Sequence, residues 1–283
     1  MKTLLVLLLV LLLFLGSFSA QAVSAKKILV VLSSEDKITL KEGIVHPTGF
    51  FLSELMVPVK GLIEAGYEPV FATPQGNEPV MDKTSDSAAW FGGDERKYQE
   101  IKRLFAQLDG IRRPLKLSQV RRQDLAFFAG IFIPGGHAPM EDLLINKDLG
   151  KLLRHFHRAK KPTALICHGP IALLSTLPKP VRFTQALAGG SSMRAHGWIY
   201  EDYSMTVFST PEEQQEEPGQ DNVLGGFVKF YPDYALRSAG GQVSAAGKWL
   251  SHVVRDRELI TAQNPMSDVE FTKVFIQALS EQK

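Results

Sequence analysis

The sequence predicts an α/β domain with a mostly parallel sheet covered by helices on both faces. Short, continuous apolar runs at 27–32, 129–134 and 163–166 have the length and composition of strands buried on both faces. Helical patterns alternate with these runs, as a parallel sheet with crossover connections requires. The first strand, helix, glycine and second strand form one βαβ unit.

Taken in order, the strand at 27–32 leads into a loop over 33–46 and a helix over 50–65, with Phe51, Leu55, Val59 and Leu62 on one face. Pro58 is expected to kink or restart that helix, and Gly66 to stop it. A second strand follows at 67–73, then a turn at 74–76. Residues 78–93 show no periodicity; a helix is expected at 94–108, and a third strand at 129–134 runs into Gly135-Gly136-His137. A helix over 142–159, with a break near Asn146, precedes the fourth strand at 163–166 and a helix at 170–177. Beyond it a strand at 205–208, a loop at 218–226, a helix at 231–239, a strand at 258–261 and a helix at 266–279 complete the pattern. No repeat or interdomain linker interrupts it, so residues 26–283 are expected to form one domain.

The N-terminus stands apart from the fold. Lys2, the apolar stretch 4–15 and the small residues around Ala20-Gln21-Ala22 have the layout of a secretory signal peptide. Cleavage is expected after Ala22, with Ala25 as the alternative; the apolar run is short for a membrane span of about 20 residues. The exported chain is expected to be periplasmic or secreted, with no membrane attachment after cleavage. A formal charge of +2 over the whole chain gives no basis for nucleic-acid binding. The oligomeric state is left open, with a homodimer as one option.

The chain contains one cysteine, so it has no internal disulfide. Cys167 ends the fourth strand and precedes a helix, which places it at the carboxyl edge of the sheet, where ligands of open α/β folds collect. A following helix N-terminus is expected to lower the thiol pKa; the competing reading is a small buried hydrophobe. Gly136, without a Cβ, allows close approach of its backbone, and its N–H with that of His168 would form an oxyanion hole. Glu54 lies on a mostly apolar stretch, where a carboxylate facing inward toward the thiol would have a raised pKa. From periodicity alone, a solvated surface position on an amphipathic helix is narrowly favoured. His168 is a candidate base, with Glu213 or Glu212 as its orienting acid, against the alternative that Glu212 to Glu217 is a solvated acidic loop. No metal or phosphate motif is present: His155 and His157 point apart, and His46, His137 and His196 are too scattered to combine from sequence. No cofactor is expected.

Ile133-Pro-Gly-Gly-His137, Ala164-Leu-Ile-Cys-His-Gly-Pro170 and Thr261-Ala-Gln-Asn-Pro265 together resemble the ThiJ/PfpI superfamily, with a type 1 glutamine amidotransferase-like domain. The resemblance covers almost all of the expected mature chain and is greatest to the heat-shock chaperone and glyoxalase III-like branch. It implies a flavodoxin-like α/β sandwich with the cysteine on a nucleophile elbow. It further implies Cys167 as nucleophile, His168 as its neighbouring histidine, Glu54 as the acid contacting the thiol, Gly136 in the oxyanion hole and Glu213 as third triad member. Ala138 stands where the family commonly has glycine, an expected narrowing of the pocket. The His-x-Glu pattern of true glutaminases is absent near the C-terminus.

Three functions follow as expectations. The first is a cofactor-independent, cysteine-dependent lyase acting on a small 2-oxoaldehyde substrate, converting methylglyoxal to lactate. The second is a cysteine hydrolase using the same thiol, with His168 oriented by Glu213. The third is a holdase chaperone or redox stress protein, for which Phe50-Phe51-Leu52 would supply an exposed apolar patch.

Overall fold

The computed structural model describes residues 26–191 and 194–282; the expected signal peptide at 1–22 lies outside them. In chain order, the strands are β1 (Lys27–Val31), β2 (Lys37–Thr39), β3 (Val45–Pro47), β4 (Glu68–Thr73), β5 (Leu115–Lys116), β6 (Phe128–Ile133), β7 (Thr163–Ile166), β8 (Ser204–Met205), β9 (Gln242–Val243), β10 (Val253–Asp256) and β11 (Leu259–Ala262). The helices are α1 (Leu52–Glu64), α2 (Glu95–Gln107), α3 (Asp109–Arg112), α4 (Leu117–Val120), α5 (Lys147–Arg158), α6 (Pro180–Ala188), α7 (Thr210–Glu216), α8 (Pro232–Ala239) and α9 (Asp268–Ser280).

The main sheet has the order β10-β11-β7-β6-β1-β4-β5. Every neighbouring pair in it is parallel except β10 with β11. The chain winds from β1 outward to β4 and β5, then crosses to β6 and β7 on the other side. Its switch point therefore lies between β1 and β6, and the carboxyl ends there open onto a crevice.

Side chains alternate across each strand and so feed two cores. Ile28 and Val30 of β1 pack with Leu55, Met56 and Val59 of α1 and with Phe271 and Phe275 of α9. Leu29 and Val31 face the opposite core, with Leu152, Leu153 and Phe156 of α5. Phe132 sits fully buried at the centre of the first core, its ring centroid 5.8 Å from Phe271 and 6.3 Å from Phe275.

The α/β architecture follows the sequence pattern; several local expectations need correction. Pro58 lies inside α1 without ending it. The break expected near Asn146 is present: Asn146 caps α5, its side-chain oxygen accepting from the N–H groups of Asp148 and Leu149. Residues 170–177 were expected to form a helix of the ordinary type; Gly169–Thr176 is instead a 3-10 helix, buried along its whole length. Of the expected strand at 205–208 only Met205 is in a strand, and β8 pairs with β9 outside the main sheet. The alternative of a solvated acidic loop at 212–217 is excluded: the segment contains α7, with Glu212 and Glu213 buried. Phe50 and Leu52 are core residues, so the apolar patch expected for a holdase is not on the surface. Among the described residues no helix is long and apolar enough to cross a membrane.

Phe132→Ala removes the ring between two α9 phenylalanines and is expected to destabilise the fold by about 3–5 kcal/mol. Urea denaturation would show this as a lower midpoint with an unchanged slope; an unchanged midpoint would contradict this account of the core.

Candidate active site

Cys167 follows β7 with a backbone φ of +59°. A residue other than glycine in the left-handed region carries strain of roughly 1–3 kcal/mol, and it persists only where the surroundings fix it. Here the Cys167 N–H donates to the Ala262 carbonyl at 2.9 Å, and its own carbonyl accepts from the Phe208 N–H at 2.9 Å. The sharp turn at Cys167 is thus pinned between the end of β11 and the segment leading to α7.

The two glycines after β6 leave room for the thiol's neighbours. A Cβ on Gly135 would fall 2.5 Å from both the Cys167 Cβ and Glu54 Oε2. A Cβ on Gly136, whose φ is +84°, would fall 1.9 Å from the Gly49 carbonyl oxygen. Without side chains there, the α1 carboxylate, the thiol and the β6 turn meet in one place.

Cys167 Sγ lies 3.2 Å from His168 Nδ1, and His168 Nε2 lies 2.8 Å from Glu213 Oε2. The other Glu213 oxygen is 2.7 Å from His137 Nε2. Glu213, His168 and His137 are all buried. Burial opposes charge on His137, but the Glu213 carboxylate outweighs it and raises the imidazole to about 9. Burial and the positive His137 together lower His168. Burial would raise Glu213, but the two imidazoles dominate and hold it well below the usual carboxylate range. The balance is an imidazolium at His137, a carboxylate at Glu213 and a neutral ring at His168. An ionised carboxylate only accepts, so His168 carries its proton on Nε2 and turns the Nδ1 lone pair toward the thiol. The geometry thus directs a ring lone pair at the thiol.

Glu54 is buried against the thiol from the other side. Its carboxylate faces Cys167 and the Gly135 backbone, yet neither oxygen has a partner in hydrogen-bond geometry. Burial, which outweighs the nearby thiol, pushes its pKa well up. Burial likewise pushes the Cys167 thiol up, followed by the charge of Glu54, whereas the Gly136 N–H draws it down. The expected lowering of the thiol by a helix N-terminus is therefore not what its surroundings favour: desolvation dominates, and the segment that follows is a 3-10 helix.

A narrow cavity of ≈ 30 Å³ opens above Sγ, and Gly136, His137, His168, Glu216, Trp90 and Trp249 are among its walls. Gly136 and His168, the expected oxyanion-hole residues, both border it. Glu54 and Ala138 do not, so Ala138 does not narrow this space. Ala138 begins a buried 3-10 turn instead.

Sequence spacing left Glu212 and Glu213 as alternatives. The structure gives them opposite duties. Glu212 points away from the thiol and accepts from the side chains of Ser209, Gln263 and Asn264 and from the Trp249 N–H. His137, judged too scattered to combine, is brought against Glu213 and His168. Its position in the Gly-Gly-His turn at the end of β6 was the available signal. The candidate ligand atoms of His137, His168 and Glu213 lie within 4.8 Å of one another, close enough to hold a metal ion. Both Nε2 atoms already face the carboxylate, however, so a metal would have to displace that pairing.

A model of the DJ-1/PfpI family matches residues 44–207, more than half of the chain. The chain belongs to this family. It is 26% identical over 263 residues to the protein/nucleic acid deglycase HchA of Pseudomonas aeruginosa, covering 90% of this chain and 81% of that protein. The HchA of Staphylococcus aureus is 25% identical over 258 residues, covering 88% and 78%. Among solved structures, the Rapid Encystment Protein of Francisella tularensis superposes with a TM-score of 0.66 at 25% identity, covering 90% of this chain and 99% of that one. Glyoxalase III of Candida albicans superposes at 0.63 with 19% identity, covering 89% and 96%, a likeness of fold.

The charge assignment makes a prediction. The raised His137 value means its pairing contributes fully below its ordinary value of about 6.5 and fades as pH rises through about 9. The depressed Glu213 value means its contribution is present above the ordinary carboxylate value of about 4.3 and is lost as pH falls into the acid range. His137→Gln should therefore lower the melting temperature by several degrees more at pH 6 than at pH 10. Equal losses at the two pH values would remove the imidazolium assignment.

Proposed function

We propose that this chain is a cofactor-independent cysteine enzyme acting on small reactive carbonyls, converting 2-oxoaldehydes such as methylglyoxal to 2-hydroxy acids. The observation that carries this reading is the Cys167 thiol, 3.2 Å from Nδ1 of a His168 whose other nitrogen is held by Glu213. Membership of the DJ-1/PfpI family and the HchA relatives support cysteine-dependent carbonyl chemistry. The narrow cavity favours a free small aldehyde over a bulky adduct.

In this reading His168 Nδ1 takes the thiol proton and the thiolate adds to the aldehyde carbon, giving a hemithioacetal. The N–H groups of Gly136 and His168 receive the developing oxyanion. Covalent attachment brings the substrate to the sulfur that Glu54 already faces. In its ionised form, which burial makes strongly basic, Glu54 takes the proton from the former aldehyde carbon and returns it to the neighbouring carbon. The resulting thioester is hydrolysed by water, which releases the hydroxy acid and restores the thiol. Methylglyoxal and one water thus become lactate with no net redox change.

The relay also suits a hydrolytic reaction, and a deglycase activity is what the HchA relatives' name states. That second reading rests on the Cys167–His168–Glu213 geometry, which serves both chemistries through the same first step.

Purified protein is expected to form lactate from methylglyoxal. Cys167→Ala should abolish the reaction, and Glu213→Gln should reduce kcat about 10²–10⁴-fold by releasing the His168 tautomer. Undiminished turnover in Cys167→Ala would overturn the mechanism.

We further propose export, supported by the basic start, apolar stretch and Ala20-Gln21-Ala22 site. Intact mass of protein recovered outside the cytoplasm should correspond to a chain beginning at Val23, or at Lys26 for the alternative site. A chain retained inside with Met1 intact would exclude it.

A further inference from the structure

We propose that Glu216 and Trp249 form a filter at the mouth of the Cys167 cavity, admitting small uncharged carbonyl compounds and turning away anions and bulky groups. The proposal rests on the nucleophilic reading of Cys167 and deepens it by naming a substrate class.

The charge half begins with the cavity wall. No lysine or arginine is among the described residues lining it, whereas the carboxylates of Asp82 and Glu216 are. The positive charge of His137 is already matched by Glu213, 2.7 Å away. Glu216 approaches the same imidazole less closely, with Oε2 at 3.8 Å, and retains 21% of its side-chain exposure. Asp82 is tied down by the hydroxyls of Thr48 and Thr84. Glu216 is therefore the more open carboxylate in the space an incoming ligand must occupy. Burial raises Glu216 to about 7, so above that pH an anion entering this partly desolvated space meets like charge where solvent screens weakly. The same field acts on the outcome of the reaction. A neutral 2-oxoaldehyde enters, a carboxylate is made, and the wall that admitted the first repels the second.

The size half lies with Trp249. Its φ of +58° is unusual for a bulky residue. Two hydrogen bonds hold it: its backbone N–H donates to Glu212 Oε1 at 2.9 Å, and its Nε1–H donates to Gln215 Oε1 at 3.0 Å. The indole stands between Trp90 and Phe208, with centroids at 6.2 and 5.7 Å. Trp90 is backed by Phe51 at 4.9 Å and donates its Nε1–H to the Thr84 carbonyl. Aromatic walls held from both sides set the width of the opening. Both anchors of Trp249 are on α7, the helix that also carries Glu213 and Glu216, so one short helix supplies the relay acid, the charged wall and the support of the aromatic wall.

The test reads the thiol directly and needs no turnover. Cys167 is the sole cysteine, so intact mass measures its alkylation without ambiguity. Rates at pH 8.5 would be compared for iodoacetamide, which is neutral, iodoacetate, which is anionic and nearly the same size, and N-phenyl iodoacetamide, which is bulky. Each rate is divided by that of free cysteine. The native chain should disfavour iodoacetate relative to iodoacetamide at least tenfold beyond free cysteine. Glu216→Gln should remove most of that excess, and Glu216→Asp, which keeps the charge, should retain it. Trp249→Gly, which suits the left-handed backbone, should raise the phenyl-to-iodoacetamide rate ratio about tenfold. No excess in the native chain, or an excess unchanged in Glu216→Gln, overturns the charge filter. An unchanged ratio in Trp249→Gly overturns the size filter. A thiol unreactive even to iodoacetamide while free cysteine reacts would remove the nucleophile reading itself, a result separate from these. Lactate formation with no reagent discrimination would leave that reading standing and remove the filter alone.

Discussion

The site is organised by one carboxylate shared between two imidazoles. Glu213 offers one oxygen to His137 and the other to His168, and the three groups divide one positive and one negative charge among them. A buried carboxylate with a single neutral partner would be costly. The second imidazole, as an imidazolium, supplies the counter-charge, so His168 is left neutral. This frees Nδ1 of His168 to face the thiol. The consequence reaches the fold, because the three residues come from the turn after β6, the elbow after β7 and helix α7.

Adjacent glutamates on α7 hold different partners, Glu213 the two imidazoles and Glu212 the surrounding scaffold. Glu212 accepts from the Ser209 N–H and hydroxyl at the helix start. It also accepts from Gln263 and Asn264, just beyond β11. These contacts tie the Thr261-Ala-Gln-Asn-Pro265 segment to the site, and its Ala262 carbonyl accepts from the Cys167 N–H. Thr261 adds to the same junction, its hydroxyl oxygen accepting from the Thr206 N–H. A short helix at the carboxyl edge of the sheet is held to the end of β11 by side chains rather than by a ladder of backbone bonds.

What was legible in the sequence divides along physical lines. The apolar runs of β1, β6 and β7 announced the sheet because strands buried on both faces must be apolar throughout. Cys167, Glu54 and the Gly135-Gly136 pair were found because each follows or breaks such a pattern. Strand β10, partly exposed at an antiparallel edge, carries no such pattern and was missed. Helix α7 was missed for a different reason. Its Pro-Glu-Glu-Gln-Gln-Glu composition resembles a solvated run, and only partners distant in the chain make burial of two glutamates tolerable. The pairing of His137 with Glu213 spans 76 positions, a separation at which local spacing says nothing. The thiol's direction of shift was misjudged because a helix terminus is visible in sequence and desolvation is not.

The aromatic wall gives the molecule an optical property. Of its three tryptophans, Trp90 and Trp249 border the cavity. Trp198 lies buried in the opposite core, donating to the Leu173 carbonyl and the Thr176 hydroxyl. Two emitters stand at the cavity over Cys167 and the third reports on the far side of the sheet. Entry of a ligand and loosening of the scaffold would therefore disturb different indoles, so intrinsic fluorescence can follow occupancy and integrity in an unlabelled chain.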